Sequence, residues 1–272
     1  MLKREIDSTI DATYNNGKMA LMLTGARQVG KTNAFRRLAQ RKFEHYLEIN
    51  FLETPSAKRI FDGVENAKEM LLRISAFADT PLVPGKTFIL FDDVQKCPEC
   101  ITKIKFLVDE GSFRYGLTGS LLGVELKDMK AKAEQMNKDA DMPVGYMDIK
   151  EMFPLDFEEF AEAVGVSHNV WAYIRECFEE KKTVDAVVHE RMMAVYRLYM
   201  MVGGMPEPVM QYLKSNNMQL VGQEQLAILN LYKQDISQYD TGNRMLWLKN
   251  CIPKDLRTST TLTARSRARW IS

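Results

Sequence analysis

The chain has 272 residues, of which 46% are hydrophobic and 27% are charged, with 37 basic and 36 acidic side chains. These fractions are ordinary for a folded globular protein of one or two domains and exclude disorder of the whole chain and low-complexity architecture. A formal net charge of +1 argues against a protein that coats nucleic acid or membrane by bulk electrostatics, although a local basic patch is compatible with it.

The cysteines indicate a reducing compartment, and the hydropathy of the chain indicates neither a secretory signal nor a membrane span. The four cysteines are too few for a disulfide scaffold, and Cys97 and Cys100 form a lone C-x-x-C pair without a nearby histidine. We interpret that pair as the start of a helix at Pro98 rather than as a metal or redox site. The first residues are charged where a secretory signal would be apolar, and no apolar run approaches the ~18 residues of a membrane span. We therefore expect a cytoplasmic protein with free thiols.

Apolar patterns predict strands that alternate with helices over the first half of the chain. An opening helix is predicted over 2–16, and further helices over Thr32–Lys42, 57–78 and 98–110. Short apolar runs, typical of strands buried on both faces, predict a parallel sheet. The first such run is Met19–Leu23, and the other strand candidates are Tyr46–Phe51, Thr87–Phe91, Arg114–Thr118 and, more weakly, Tyr146–Met152. Strands alternating with helices predict an α/β fold.

The pattern changes after Pro154. Residues 156–247 show helical periodicity without a convincing strand, which predicts a second, mostly helical domain with a boundary near 150–154. Before this boundary, residues 125–142 are rich in Lys, Asp and Ala, and we interpret them as a solvated charged excursion that contains some helix.

One motif identifies a phosphate site. Residues 25–32 fit the pattern G-x-x-x-x-G-K-[ST], between a predicted buried strand and a predicted helix. The glycines let successive backbone N–H groups point into one concavity, which together with the helix N-terminus attracts polyphosphate. Lys31 is expected at the β- and γ-phosphates and the Thr32 hydroxyl at Mg²⁺. The predicted nucleotide-binding residues are Gly25, Ala26, Arg27, Gln28, Val29, Gly30, Lys31, Thr32 and Asn33.

Two further strand ends complete the predicted site. Asp92 and Asp93 follow the apolar run that begins at Thr87, and we expect Asp92 to orient the water shell of Mg²⁺ and Asp93 to position the attacking water. The metal ligands are thus predicted to be Thr32 and Asp92. Thr118 and Ser120 end another predicted strand, where small hydroxyl residues would face the γ-phosphate. The predicted catalytic residues are Asp93, Lys31 and Ser120.

In these motifs the chain resembles the prokaryotic P-loop ATPases of AAA type that carry a C-terminal domain of unknown function. The resemblance covers about residues 1–257. Besides the loop, it rests on Glu48–Phe51, Phe91–Gln95, Gly119–Val124, Pro143–Gly145, Pro154–Phe160, Gly203–Glu207 and Tyr232–Ile236.

The resemblance implies an additional-strand P-loop NTPase core followed by a mostly helical region. It implies a P-loop AAA-type ATPase domain over 1–152 and a helical region over 153–257 that leads into an incomplete C-terminal domain. It also implies roles near the γ-phosphate for Gln95 and Ser120. Residues 258–272 fall outside the resemblance, and we interpret them as a disordered or frameshifted tail.

Two departures from the family pattern concern the site. Asp93 stands where the family usually has Glu, so its carboxylate is one methylene shorter. Tyr146 stands where the family tends to have a basic residue.

The function expected from the sequence is Mg²⁺-dependent ATP hydrolysis coupled to a conformational change of the helical C-terminal part. Two alternatives stay open: a slowly hydrolysing nucleotide switch of the signalling kind, which the paired aspartates favour, and a DNA-associated ATPase. The expected ligands are ATP and Mg²⁺. The expected partner is an unidentified protein or a second copy of the chain; nucleic acid is compatible with the sequence but not indicated, and no membrane partner is expected.

Overall fold

The computed structural model describes residues 2–64, 66–79, 81–119 and 145–239. The chain divides into two compact units, Met1–Pro206 and Glu207–Ser272, and the second is described as far as residue 239. The domain boundary after residue 152 stays a prediction. The charged excursion at 125–142, Ser120 and the tail at 258–272 lie outside the described residues.

Within the described residues, five strands form one parallel sheet in the first unit. They are Ala20–Thr24 (β1), His45–Asn50 (β2), Thr87–Asp92 (β3), Arg114–Thr118 (β4) and Met147–Glu151 (β5). Their order across the sheet is β2-β3-β4-β1-β5, and each neighbouring pair is parallel. Because β4 lies between β1 and β3, the core has the additional strand that the sequence predicts. The α/β fold with a parallel sheet is confirmed.

Helices cover both faces of this sheet. The helices are Ile6–Asn16 (α1), Lys31–Lys42 (α2), Ala67–Ser75 (α3) and Pro98–Glu110 (α4). On one face, α1 and α2 share an apolar cluster with β1 and β3; on the other, α3 and α4 pack in a second cluster. All six residues of β3 are buried, because a covered parallel sheet has no solvent-facing side on which polar residues could alternate.

One predicted helix is wrong in its extent. The sequence predicts a helix over 57–78, whereas the structure has a 3₁₀ helix at Pro55–Ile60 and, separately, α3 at Ala67–Ser75. Gly63, at φ +65°, lies between them in the left-handed conformation that glycine adopts without steric cost. Asn66 then starts α3 anew, with its side chain accepting a hydrogen bond from the backbone N–H of Glu69.

From residue 157 onward, the first unit is helical, as predicted. It contains Phe157–Ala163 (α5), His168–Glu179 (α6) and Ala186–Val202 (α7). A close backbone contact connects this part to the end of the sheet: Leu155 N–H donates to the Gly204 carbonyl at 2.7 Å. A Cβ at Gly204 would lie 2.1 Å from the Leu155 oxygen, so only glycine fits there.

The second unit is helical over most of the part that the structure describes, 207–239. Pro206–Ser215 (α8) leads into it from the first unit, and Met218–Tyr239 (α9) follows after a turn at Asn216, where φ is +48°. Among the described residues, no helix combines the length and apolar character needed to cross a membrane.

Candidate functional site

The loop between β1 and α2 has the backbone of an anion-binding turn. Gly25 and Gly30 have φ values of +131° and +102°, and Gln28 is also left-handed at +62°. A Cβ at Gly25 would lie 2.2 Å from the Met152 carbonyl oxygen, so this position tolerates only glycine. Gly30 is the N-cap of α2, and helix geometry leaves the first N–H groups of that helix without an intrahelical acceptor. The loop and the helix start therefore present N–H donors to an anion.

Lys31 is a buried cation within this loop. Its Nζ donates to the carbonyl oxygens of Ala26 at 2.8 Å and Gly25 at 3.1 Å. Burial lowers the pKa of Lys31 to about 8, although the carboxylates of Asp93 and Asp92 partly oppose the shift. The carbonyl oxygens that now accept hydrogen bonds from Lys31 carry no net charge, so they do not neutralise its buried positive charge. A phosphate bound in the loop would neutralise that charge.

The end of β3 meets the loop at Asp92. Its Oδ1 accepts hydrogen bonds from the Thr32 hydroxyl at 2.9 Å and from the Thr118 hydroxyl. Its Oδ2 accepts from Asn50 Nδ2 at 3.1 Å. Two motifs 60 residues apart in the chain are thereby joined at one carboxylate.

The electrostatics of Asp92 favour a cation. Burial raises the pKa of Asp92, and the negative charges of Asp93 and Glu48 add to the rise, while the hydrogen bonds from Thr118 and Thr32 oppose it. A divalent cation would stabilise the ionised form of such a carboxylate. The nearby oxygen atoms belong to the Thr32 and Thr118 hydroxyls and to the Asp92 carboxylate, and oxygen ligands are the ones that Mg²⁺ prefers. The residues present therefore fit Mg²⁺.

Asp93 has an unusual backbone. Its φ of +58° is left-handed, a conformation that Asp and Asn adopt more readily than most residues. Its N–H donates to the Thr118 hydroxyl at 3.2 Å, and its Oδ1 accepts from Gln95 Nε2 at 2.8 Å. The Asp93 backbone is thus tied to the Asp92 hydrogen-bond network through Thr118, while its side chain is paired with Gln95.

The structure brings together most of the predicted site. The residues from Gly25 to Asn33 form the loop and the start of α2, with the Asn33 side chain exposed. Thr32 and Asp92 are in direct contact, and Asp93 follows in the chain. Ser120 lies outside the described residues.

Asn50 and Thr118 are the residues whose roles the sequence did not predict. Thr118 was expected to face the γ-phosphate, but its hydroxyl bonds Asp92. Asn50 belongs to one of the motifs that carry the family resemblance, and the β2–β3 register pairs it with Asp92. A polar residue that ends a strand beside the acidic strand end is the signal that could have identified it.

A groove lies beside the loop. It has a volume of about 390 Å³, and its lining includes Ile6, Glu151, Met152, Phe153 and Asp156. The Met152 side chain also approaches the loop, since a Cβ at Gly30 would lie 3.6 Å from Met152 Cε. The groove therefore reaches the same Met152 that packs against the phosphate loop.

A second group of oxygen and nitrogen ligands is less suited to a metal. Glu158, Glu162 and His168 have ligand atoms within 4.8 Å of one another. Both carboxylate oxygens of Glu158, however, accept hydrogen bonds from Arg175 at 2.8 and 2.7 Å. The Arg175 guanidinium thus already supplies a positive charge to Glu158 in this partly exposed group.

Three features define the class of P-loop nucleotide-binding proteins: a parallel sheet with an additional strand, a glycine loop that leads from β1 into a helix, and an acidic residue at the end of β3. Residues 17–161, more than half of the chain, match the family model described as AAA domain. The chain belongs to this family and is a P-loop ATPase of AAA type. No curated protein matches it significantly.

Solved structures with a similar chain path share little sequence with this protein. A Walker-type ATPase of Pyrococcus abyssi is 14% identical over 88% of this chain and 74% of its own, with a TM-score of 0.47. PCH-2 of C. elegans is 16% identical over 78% and 59%, with a TM-score of 0.37. A signal transduction ATPase with numerous domains and a tetratricopeptide repeat sensor, from Pyrococcus horikoshii, is 12% identical over 87% and 34%, with a TM-score of 0.38. No functional assignment rests on these likenesses.

Proposed function

We propose that this protein binds ATP together with Mg²⁺ and hydrolyses it, and that hydrolysis is coupled to a conformational change of its helical part. The observation that carries the proposal is the contact between the Thr32 hydroxyl and Asp92 at 2.9 Å. It brings the phosphate loop and the acidic strand end to one point, so that a cation held there would also reach a phosphate in the loop.

Each residue of the site has a role in this proposal. Lys31 would exchange the carbonyls of Gly25 and Ala26 for the β- and γ-phosphate oxygens. Thr32 would hold Mg²⁺ directly, and Asp92 would orient its water shell. When bound with ATP, Mg²⁺ neutralises charge on the β- and γ-phosphates. Ser120, by resemblance, would lie near the γ-phosphate.

Asp93 would orient the attacking water through its carboxylate. A group in this role must come within about 2.6–3.2 Å of the atom whose proton it accepts. The Gln95 amide, which donates to Asp93 at 2.8 Å, would keep the carboxylate oriented and would itself lie near the γ-phosphate.

The groove supports the choice of a nucleotide rather than a bare polyphosphate. Its volume of about 390 Å³ is at the lower end of the range for small-molecule pockets, about 300–1,000 Å³. The side chains of Ile6 and Met152 offer apolar contact to a base, and the acidic side chains of Glu151 and Asp156 offer hydrogen-bond acceptors.

A second candidate is a slowly hydrolysing nucleotide switch, and one observation favours it. The shorter carboxylate of Asp93 is already engaged by Gln95, which would limit its reach toward water. In that case ATP would be bound for long periods and the bound state would carry the signal.

The proposed Mg²⁺ site is tested by replacing Thr32 with Val, which keeps the side-chain shape and removes the hydroxyl. We expect the gain in ATP affinity on adding Mg²⁺ to fall about tenfold or more, because one metal ligand is lost. Calorimetric titration of ATP with and without Mg²⁺ measures this gain.

Two variants complete that test. Thr32→Ser restores a hydroxyl and should restore the effect of Mg²⁺. Thr102→Val removes an exposed hydroxyl of α4, which bonds the Glu99 carbonyl, and should change nothing. A Thr32→Val protein that keeps the whole effect of Mg²⁺ would contradict the assignment.

A further inference from the structure

Arg4 is a buried arginine that lines the groove beside the phosphate loop and also contacts the loop itself. Only 6% of it is exposed. Its guanidinium donates three hydrogen bonds to three separate segments: from Nη1 to the Val29 carbonyl at 3.2 Å, from Nη2 to the Phe153 carbonyl at 2.7 Å, and from Nε to Glu159 Oε1 at 3.0 Å. One side chain thus connects the phosphate loop, the segment after β5 and the start of α5.

The contact with Val29 affects the loop directly. In a planar trans peptide the C=O and the N–H point in opposite directions. Because Arg4 holds the Val29 carbonyl, it also fixes the direction of the Gly30 N–H, one of the donors expected to face the phosphates. Arg4 therefore acts on phosphate binding through Val29 and does not itself need to touch the phosphates.

The partner of Arg4 defines the beginning of α5. Glu159 and Asp156 form a reciprocal cap: the Glu159 N–H donates to Asp156 Oδ1 at 2.8 Å, and the Asp156 N–H donates to Glu159 Oε2 at 3.2 Å. The other carboxylate oxygen accepts from Arg4 and from the Glu5 N–H at 2.7 Å. A shift of this helix start would therefore move the group that holds Arg4.

We propose that the Arg4–Glu159 pair is a positioning link that couples nucleotide occupancy of the loop to the start of α5. The inference rests on the proposed ATP binding and deepens it by naming the path through which the helical part senses the ligand. Weakening the link should lower nucleotide affinity, because the Gly30 N–H would lose the direction that Arg4 gives it through Val29. It should also reduce the response of the helix start, because the same side chain connects the loop to Glu159.

Trp171 provides a reporter at the helix start. Its ring packs edge-on against Phe157, the first residue of α5, with ring centroids 5.6 Å apart. The chain has two other tryptophans, Trp247 and Trp270. A parent protein with Trp247→Phe and Trp270→Phe therefore emits from Trp171 alone. Titrating this full-length parent with Mg-ATP should change Trp171 emission with the same midpoint as binding measured by calorimetry.

The link is tested in that parent with Glu159→Gln and Arg4→Met. Glu159→Gln keeps the side-chain shape and a carbonyl acceptor, so it serves even if Arg4→Met folds poorly. In each variant we expect Mg-ATP affinity to fall about fivefold or more and the Trp171 change at saturating Mg-ATP to be less than half that of the parent. Arg4→Lys keeps the charge but cannot make three directed contacts, and should lie between the parent and Arg4→Met.

Arg37 offers a matched control. Its guanidinium pairs with Asp7 at 2.6 Å, and this ion pair connects α2 to α1. The two side chains are about as buried as those of Arg4 and Glu159. Arg37→Met should leave the affinity and the Trp171 change as in the parent.

Three results would overturn the link: no Trp171 change in a parent that binds Mg-ATP, unchanged affinity and signal in Glu159→Gln and Arg4→Met, or equal losses in Arg37→Met. A parent that does not bind Mg-ATP at all would instead refute the proposed function, on which the link depends.

Discussion

Replacing Lys31 by Ala should abolish tight Mg-ATP binding, raising Kd by about a hundredfold or more, while the fold stays intact. The binding loss follows because a buried, charge-assisted contact to phosphate is worth at least about 2–3 kcal/mol. The fold should tolerate the change because burial lowers the pKa of Lys31 to about 8, so the charged side chain is held at a cost in the free protein. Calorimetric titration measures Kd, and thermal unfolding measures the fold.

Lys42 is the matched control for this variant. It lies on the same helix but in its last turn, where it contacts Asp11 and Asn15. Lys42→Ala should bind Mg-ATP like the wild type. An affinity in Lys31→Ala equal to that of the wild type would refute the role of the loop.

The second large effect concerns Asp93. We expect Asp93→Asn to slow ATP hydrolysis by about a hundredfold or more, because a positioned carboxylate that accepts a proton contributes about 10²–10⁴ to the rate. Asn tolerates the left-handed φ of +58° at this position, so the fold should not change. Asp93→Glu should raise the rate, because the added methylene restores reach toward the water. Single-turnover phosphate release at saturating Mg-ATP measures both.

This experiment also separates the two candidate functions. A wild type that binds Mg-ATP tightly but turns over slowly, and that Asp93→Glu accelerates, would favour the nucleotide switch. Asp109→Asn, an exposed change on α4, serves as the control and should have no effect. If Asn at position 93 causes no loss and Glu no gain, Asp93 is not the catalytic carboxylate.

The parts of the fold that could be predicted from sequence are those whose physics is local. The strands β1 and β3 contain short apolar runs, and β3 is recognisable because its burial on both faces permits no polar alternation. The loop motif is local as well, since the glycines and Lys31 are needed within a few residues of one another. The helix predicted over 57–78 failed because apolar periodicity continues past Gly63, where the backbone turns left-handed.

The parts that could not be predicted depend on distant contacts. Thr118 could be placed at a strand end, but only the sheet order, with β4 next to β3, brings its hydroxyl to Asp92. Arg4 is an extreme case, because its partner Glu159 is 155 residues away and nothing in its own neighbourhood indicates burial. Tertiary contacts of this kind decide which of many polar residues join a site.

The central claim, that Mg-ATP occupies the loop between β1 and α2, is tested most directly by a crystal structure with Mg²⁺ and a non-hydrolysable ATP analogue. We expect the β- and γ-phosphates in the concavity of the loop, with Lys31 Nζ moved from the carbonyls of Gly25 and Ala26 onto phosphate oxygens, and Mg²⁺ on the Thr32 hydroxyl beside Asp92. An analogue bound elsewhere, with Lys31 still donating to its own loop, would contradict the account.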